Sequence, residues 1–385
     1  MTDAERLPVM FRHFAEREFD GYSPRYARLA RFVADRPALA GPLLAAPRSQ
    51  QRAILLFAAA QYLLRTSAAG HPLAGYLPVL SGARPAGEGL TAAFADLVIT
   101  HRAELAELCA TRLIQTNEAA RAALLRPAFG RAAELVDGRP LALVELGTSA
   151  GLLLLPDRYA YHYATPDGGR TQRTGRDDAP PPLVLECEVR GRGWPEPAAV
   201  PVDVAARTGV DVAPVDTADE DAVTWLRSCV WPEHVDRLDR LDAALAEAAT
   251  VRPHLVRGDM VARLPTLLST VDSGSVPCVF ASNAVNYLSH RAAERLVELL
   301  AGHGAARDLV LVLNEASRFG AELVLGRRPD EAGPPGVLAV GLLTLAAWRK
   351  GRATVEVLAR TGPHAQWVEW VQRGYDLASP SRSTA

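Results

Sequence analysis

The feature that most constrains the fold is a short apolar run that ends in a glycine-bearing loop. Leu141–Leu146 has the sequence Leu-Ala-Leu-Val-Glu-Leu, and residues 147–151 follow as Gly-Thr-Ser-Ala-Gly. Such a run, bounded by glycine, is typical of a buried strand in a parallel sheet. Glycine permits positive φ and a close approach of ligand to backbone. We expect a helix to follow, whose first N–H groups have no partner within the helix.

Strands and helices alternate after this loop. Apolar runs predict strands at residues 204–215, 254–257, 276–281 and 309–313, with helices at 220–249, 262–268 and 290–302. The helix at 220–249 should be interrupted near Trp231 and Pro232, because proline removes a backbone donor. This alternation predicts a doubly wound, mostly parallel, Rossmann-like sheet. Residues 159–190 look like an inserted hairpin, and two last strands, at 336–346 and 353–359, predict an antiparallel edge hairpin.

The first third of the chain has a different pattern. Aromatic and aliphatic residues from Phe11 to Phe32 recur at helical spacing, and alanine-rich runs follow at residues 49–66, 90–115 and 118–136. None of these segments has the alternating β-branched residues of a strand. The sequence therefore predicts an all-helical domain over residues 1–138 and an α/β domain over residues 139–385.

Composition excludes several classes of protein. Hydrophobic residues make up 49% of the 385, the net charge is -2, and the basic residues form no dense run. A nucleic-acid binder would show a basic face, and a membrane span needs about 20 consecutive apolar residues. Four widely spaced cysteines form neither a disulfide scaffold nor a zinc motif. We expect a cytoplasmic protein with a small-molecule substrate, without metal, membrane or nucleic-acid partner, and with buried free thiols.

Acidic residues follow three of the predicted strands. Glu145 is the penultimate residue of the first strand, Asp211 lies near the end of the second, and Asp259 follows the third. Ligands bind at the carboxyl ends of strands in open α/β sheets, and a carboxylate accepts hydrogen bonds from two hydroxyls at once. The alternative is that Glu145 caps a turn and that the two aspartates cap the helices after them. Taken together, the three acids favour a nucleoside site.

The second half of the sequence resembles the class I S-adenosylmethionine (SAM)-dependent methyltransferases. This resemblance implies SAM as the cofactor, with Glu145, Gly147, Ser149 and Gly151 in the loop that holds its methionine part. It also implies that Asp211 binds the ribose hydroxyls and that Asp259 binds the adenine amino group. Ser149 occupies the place of a glycine in the common loop. The Asn-Pro-Pro-Tyr signature of enzymes that methylate amino groups of nucleic acids is missing.

Nearly the whole chain resembles the family named domain of unknown function 2332. That resemblance implies no activity. The segments that carry it are residues 71–76, 112–118, 145–151, 157–159 and 225–233.

Two polar clusters lie outside the loop and the acids. Arg112, Gln115 and Glu118 would share one face of a helix and would bind substrate in a cleft; the alternative is a salt-bridged helix surface. Arg227, Trp231 and His234 follow a similar spacing. Trp231 could be a platform for substrate, but a place in the core is the simpler interpretation. His234 could be a general base, but a surface position is the simpler interpretation.

The fourth strand of the α/β domain is followed by neutral polar residues. Asn283, Asn286 and Tyr287 can donate and accept hydrogen bonds, so we predict that they orient the methyl acceptor. The alternative is that Asn283 is a turn residue and Tyr287 packs in the core. The expected function is SAM-dependent methyl transfer to a small molecule by direct SN2 displacement. The alternatives are a non-catalytic nucleoside-binding or regulatory protein and an enzyme that transfers the aminocarboxypropyl group.

Overall fold

The fold contains eleven α-helices and eleven β-strands in the part of the chain that the computed structural model describes, residues 3–115, 117–177, 183–332, 341–362 and 365–376. The helices are α1 Asp3–Phe14, α2 Pro24–Ala34, α3 Ala53–Arg65, α4 Glu88–Thr100, α5 Arg102–Thr111, α6 Arg121–Leu135, α7 Glu220–Ser228, α8 Val235–Val251, α9 Met260–Ser269, α10 His290–Ala306 and α11 Ala321–Leu325. The strands are β1 Leu141–Leu146, β2 Ala160–Ala164, β3 Thr171–Gly175, β4 Val184–Arg190, β5 Val204–Asp211, β6 His254–Arg257, β7 Val276–Ser282, β8 Leu309–Ala316, β9 Gly341–Arg349, β10 Arg352–Thr361 and β11 Trp367–Asp376.

Contacts within the chain group these elements into two units. Unit 1 holds Met1–Asn117 and Asp216–Asp242, and unit 2 holds Glu118–Val215 and Ala243–Ala385. The predicted helical character of the first third is confirmed, because no strand occurs in the described residues before β1. The limits of the units differ from the predicted division at residue 138, which stays a prediction. Helix α6 groups with the sheet, since it packs against β8 and β9.

Unit 1 has an aromatic core to which two distant parts of the chain contribute. Trp231 meets Phe19 edge-to-face, with ring centroids 4.9 Å apart, and Phe57 lies 4.6 Å from Tyr26. Such aromatic pairs add to the free energy gained by burying their area. Trp231 is 7% exposed, so its predicted place in the core is confirmed. Residues 216–242 therefore complete a helical core, although they lie between two strands of the sheet in sequence.

Glu233 joins the same segment to the start of α2. Its carboxylate accepts hydrogen bonds from the Ser23 hydroxyl (2.5 Å) and the Arg25 backbone N–H (2.8 Å). The first N–H groups of a helix have no partner within the helix, and a carboxylate there also complements the helix dipole. Ser23 itself caps α2 through the Tyr26 N–H. The sequence Trp-Pro-Glu at residues 231–233 thus has a structural role in unit 1.

Unit 2 is built on one sheet with the strand order β3-β2-β4-β11-β10-β9-β8-β7-β1-β5-β6. The five strands β6, β5, β1, β7 and β8 are parallel to one another, and β8 to β11 form an antiparallel meander. The predicted mostly parallel α/β architecture is confirmed at this level. Strand β1 has β5 and then β6 on one side, whereas the later strands β7 and β8 lie on its other side. The carboxyl ends of β1 and β7 therefore flank a reversal of strand order, where open α/β sheets bind ligands.

Helices cover both faces of these strands. Val144, Leu146, Val279 and Ala281 belong to the core that includes residues of α9 and α10. Successive side chains of a strand point to opposite faces, and Phe280 meets Phe129 of α6 edge-to-face at 5.1 Å. Helix α6 therefore packs on the face opposite α9 and α10. Glu145, which pairs in register with Phe280, lies on the α6 face.

Two predictions about the sheet are wrong. No long helix follows the glycine loop: Leu152–Leu154 makes one 3-10 turn, and Pro156 then disfavours helical conformation at Leu155. The chain instead runs to the hairpin of β2 and β3, within the predicted insertion. The last hairpin, β9 and β10, is antiparallel as expected but not at an edge, because β11 continues the sheet. Part of its first predicted strand, residues 336–340, lies outside the described residues.

The expectations about the cysteines and about membrane-spanning helices can be compared with the described residues. Cys109, Cys187, Cys229 and Cys278 are buried and form no disulfide, as predicted. Burial raises the pKa of the Cys278 thiol to about 12, so it stays protonated and unreactive near neutral pH. In the described part of the chain, no helix is long and apolar enough to span a bilayer.

Helix α6 approaches the backbone of the segment before β5 at Gly130, and this contact gives a stability prediction. A Cβ at Gly130 would lie 1.8 Å from the carbonyl oxygen of Pro197, whereas a Cβ at Gly302 of α10 would meet nothing within 4 Å. We expect Gly130→Ala to lower the free energy of unfolding by about 1–3 kcal/mol, because backbone cannot move aside cheaply. Gly302→Ala, the matched control, should raise it by up to about 1 kcal/mol. Denaturant unfolding of both variants measures the difference, and an unchanged stability of Gly130→Ala would contradict the close approach.

Candidate functional site

The loop after β1 is a tight turn held by residues of the neighbouring strand β5. Gly147, Ser149 and Gly151 have φ of 77°, 51° and 72°. The N–H groups of Gly147 and Thr148 donate to the carbonyl of Val210 at 2.8 and 3.2 Å. Ser149 adopts the left-handed conformation that glycine would take without strain. Serine in place of the usual glycine therefore adopts this turn at the cost of some backbone strain.

Asp211, at the end of β5, holds the loop in place. Its Oδ2 accepts the Ser149 N–H at 2.9 Å, and its Oδ1 accepts the Ala213 N–H at 2.8 Å. The Val215 N–H also donates to the Ser149 carbonyl at 3.0 Å. Asp211 does not cap a helix, so this alternative is wrong for this residue. Each carboxylate oxygen has a second lone pair, so Asp211 retains acceptor capacity for hydroxyl groups.

Asp259, after β6, is the N-cap of α9. Its Oδ1 accepts the N–H groups of Val261 and Ala262 at 3.0 and 2.9 Å. The capping alternative is therefore confirmed for this residue. The side chain is exposed, and no described residue donates to Oδ2. Asp259 thus has one capping oxygen and one oxygen that can bind a ligand.

Glu145 is enclosed at the end of β1. It is 3% exposed, and its Oε2 accepts the Thr148 hydroxyl at 2.7 Å. Burial raises the pKa of this carboxyl to about 8, with a further rise from the negative charge of Asp211 and an opposing effect of Arg121. Near neutral pH the protonated form is favoured. Glu145 therefore stabilises the loop through its hydrogen bond with Thr148, which agrees with the turn-capping alternative.

Sequence reasoning missed a second buried carboxylate, Glu315, near the end of β8. It is 0% exposed, and its Oε1 accepts the N–H groups of Ala284 and Val285 at 2.7 and 3.0 Å. Burial raises the pKa of Glu315 to about 7, and the charge of Arg121 opposes this rise. The signal was available, because Asn314 and Glu315 directly follow the apolar run 309–313. The predicted strand ends at Leu313, whereas β8 continues to Ala316.

A polar chain crosses the sheet beside these acids. Asn314 Nδ2 donates to the Ser282 hydroxyl at 3.2 Å, and the Thr361 hydroxyl donates to Asn314 Oδ1 at 2.8 Å. Strand β9 lies between β8 and β10, and a Cβ at Gly341 would be only 2.4 Å from the Thr361 hydroxyl oxygen. Glycine at this position therefore allows Thr361 to reach Asn314. Arg121 adds a donor, Nη1, to the Ser282 carbonyl at 3.2 Å.

The three residues predicted to orient a methyl acceptor follow β7 as expected. Asn283 is exposed with φ of 54°, which matches the turn alternative. Tyr287 is 69% exposed, so the alternative that it packs in the core is wrong. Asn286 is half-buried, and its Oδ1 is a buried acceptor without a hydrogen-bond partner among the described residues. The catalytic role of these residues stays a prediction.

The predicted substrate cluster does not form on one helix. Helix α5 ends at Thr111, and Arg112 is extended, with φ of −102° and ψ of 147°. Arg112 pairs with the carboxylate of Asp221, to which the Tyr62 hydroxyl also donates. Trp225 Nε1 donates to the Leu113 carbonyl at 2.8 Å, which ties this segment to α7 in place of helical hydrogen bonds.

The remaining members of the predicted clusters have other surroundings. The Gln115 backbone lies beside the Cys229 thiol in unit 1. Glu118, in unit 2, is 3% exposed and accepts the Ala120 N–H at 3.1 Å, near the start of α6. Arg227 donates to Asp242 at 2.7 Å, and His234 stacks on Tyr22 with ring centroids 4.3 Å apart. Since His234 is half-buried, its predicted surface position is only partly correct. Among the described residues, no group of three or more His, Cys, Asp or Glu is placed to hold a metal ion.

Burial of Glu145 gives a pH prediction. Its pKa is about 8 in the folded protein, against an ordinary 4.5. The folded state therefore binds the proton more tightly, and stability should fall as the pH rises from about 4.5 to about 8. Glu145→Gln should remove this part of the fall, on the order of a few kcal/mol, because each pKa unit corresponds to about 1.4 kcal/mol. Chemical unfolding at several pH values measures this pH dependence of the free energy of unfolding. Glu298→Gln, on the exposed surface of α10, is the control. A parallel pH profile for Glu145→Gln and the wild type would contradict the buried protonated carboxyl.

The comparisons with known proteins concern the whole chain and not the site alone. No curated protein matches the chain. Residues 9–370 match a bacterial family, and the matched range includes β1, its loop and every acid described above. The chain therefore belongs to the family described as "uncharacterized protein conserved in bacteria" (DUF2332).

Proposed function

We propose that unit 2 binds SAM at the carboxyl ends of β1, β5 and β6 and transfers its methyl group to a small molecule by SN2 displacement. The observation that carries this proposal is the reversal of strand order between β1 and β7, with the turn at residues 147–151 and Asp211 beside it. Open α/β sheets bind ligands at such a point. The family description neither favours nor opposes the proposal.

The adenosine part of SAM fits the acids at this edge. Asp211 is half-buried at the end of β5 and retains lone pairs that ribose hydroxyls can use. Asp259, after the adjacent β6, has Oδ2 to accept the adenine amino group. Strands β5 and β6 pair in parallel from Thr208 to Asp211. A ribose and its base would thus span two adjacent strand ends.

The methionine part of SAM has fewer donors in this loop than the resemblance implied. The N–H groups of Gly147, Thr148, Ser149 and Gly151 all donate to protein acceptors. No long helix follows to offer further N–H groups. The proposal therefore rests on recognition of adenosine. This occupied loop is also the specific observation that favours the second candidate function, nucleoside binding without turnover.

Methyl transfer makes few demands on catalytic side chains. SAM supplies the methyl group on a sulfonium, and the protein has to align an acceptor with it, which accounts for much of the rate of such reactions. We assign the acceptor side to the turn after β7, with Asn283, Asn286 and Tyr287. Transfer of the aminocarboxypropyl group would use the same cofactor with a different alignment.

Calorimetry with SAM and with its demethylated product tests the binding. We expect Asp259→Asn to weaken binding about tenfold or more, because its amide nitrogen would replace the oxygen that accepts the adenine amino group. Asparagine caps helices as well as aspartate does, so the fold should persist. Asp219→Asn is the matched control, since Asp219 caps α7 through the N–H groups of Asp221 and Ala222 in the same way.

Two outcomes would contradict the proposal. Wild-type protein that binds neither ligand at millimolar concentration would exclude the SAM site. Equal losses of affinity in Asp259→Asn and Asp219→Asn would place the ligand elsewhere. Mass spectrometry of a metabolite extract incubated with protein and SAM then separates methyl transfer, aminocarboxypropyl transfer and binding without turnover.

A further inference from the structure

Two buried oxygen acceptors at the end of β7 and β8 have no donor. Oε2 of Glu315 and Oδ1 of Asn286 are each out of contact with solvent and receive no hydrogen bond from the described residues. An unsatisfied buried acceptor costs roughly 1–3 kcal/mol. In native proteins such groups are usually satisfied by an ordered water, an ion or a ligand. Two of them together therefore point to a missing donor.

The two acceptors belong to one small region. Oε1 of Glu315 accepts the N–H groups of Ala284 and Val285, and the backbone N–H of Asn286 also lowers the pKa of the same carboxyl. Glu315 thus holds the turn that carries Asn286. The same turn reaches the surface, since Asn283 and Tyr287 on either side are exposed. Glu315 and Asn286 are therefore connected through a turn that has exposed residues on both sides of Asn286.

The two acceptor oxygens and the nearby positive charge of Arg121 limit which chemical groups can bind at this site. When Glu315 is ionised, both free groups are oxygen acceptors, so a ligand of this form must donate hydrogen bonds. The guanidinium of Arg121 acts on the Glu315 carboxyl and donates to the nearby Ser282 carbonyl. Beside Arg121 a divalent metal ion would be repelled twice as strongly as a monovalent ammonium, and it has no N–H donor to offer. A primary amine has two N–H donors for two acceptors, and its lone pair remains available.

We propose that Glu315 and Asn286 bind the amino group of the small-molecule substrate, which is a primary amine. This inference deepens the proposed function and rests on it for the transfer step. The amine nitrogen donates its lone pair to the methyl carbon of the sulfonium, and the carbon–sulfur electron pair stays on sulfur. The proton released by the new ammonium passes to Oε2 of Glu315. Carboxylates with a pKa raised towards neutral pH are suited to accept such a proton.

Methylammonium chloride is the probe for this site, with tetramethylammonium chloride at equal ionic strength as the control. Both ions carry one positive charge, but only methylammonium has N–H donors. The readout is the NMR titration of the Glu315 side-chain carbon in full-length protein labelled with ¹³C-glutamate, assigned by its loss in Glu315→Gln. We expect methylammonium to lower the midpoint of the Glu315 titration by about one pH unit. Tetramethylammonium should leave the midpoint unchanged. If Glu315→Gln does not fold, the signal is assigned as the one whose chemical shift changes selectively in Asn286→Ala.

Further variants test the pair itself. Asn286→Ala should reduce the methylammonium shift and leave the unliganded titration in place, because the backbone N–H groups remain. Glu331→Gln, which alters another buried carboxylate of unit 2, should have no effect on the shift. An equal response to both ions, or no response to methylammonium, would overturn the amine site and leave an internal water as the donor.

The outcomes separate this inference from the proposed function. SAM binding by calorimetry without a methylammonium response overturns the amine site alone. A methylammonium response without SAM binding supports an amine site and overturns the methyl transfer. A response confined to methylammonium, together with SAM binding, supports both.

Discussion

The attachment of the loop at residues 147–151 to β5 is the constraint on which the ligand edge of unit 2 depends. The Asp211 carboxylate and the Val210 carbonyl accept hydrogen bonds from three N–H groups of this loop. The Glu145 carboxyl accepts a further hydrogen bond from the Thr148 hydroxyl. These bonds fix a turn in which three of five residues have positive φ. The loop therefore keeps its shape without the helix that usually continues it. The same bonds use the donors that would otherwise face a ligand.

The chain leaves the parallel strands at the ligand edge twice. After β1 it runs through β2, β3 and β4 at the far end of the sheet before it returns as β5. Between β5 and β6 it contributes residues 216–242 to unit 1, where Trp231 and Glu233 complete a core and cap a helix. Both excursions start at carboxyl ends of strands next to the ligand loop. The crossovers through α9 and α10, in contrast, are short and regular.

The sequence allowed the buried strands to be predicted because each is a short apolar run, and the interruption at Pro232 was predictable from backbone chemistry. The missing helix after Gly151 was not, since Leu152–Leu154 is apolar enough for a helix and only Pro156 argues against it. Strand β11 was not predicted, although it pairs with the preceding strand β10. Its second pairing, with β4 nearly 180 residues earlier, could not be predicted, because local patterning carries no information on such pairing. The acids were located correctly at strand ends. Their hydrogen bonds depend on distant residues and required coordinates, and Glu315 was overlooked because we ended its strand too early.

A crystal structure of the full chain grown with the demethylated product of SAM is the most direct test of the central claim, that the carboxyl edge of β1, β5 and β6 binds this cofactor. The account predicts the ribose hydroxyls within hydrogen-bond distance of Asp211 and the adenine amino group within hydrogen-bond distance of Asp259 Oδ2. The Ser149–Asp211 bond should persist in the complex. Ligand bound elsewhere, or no ligand at saturating concentration with the edge free of lattice contacts, would contradict it.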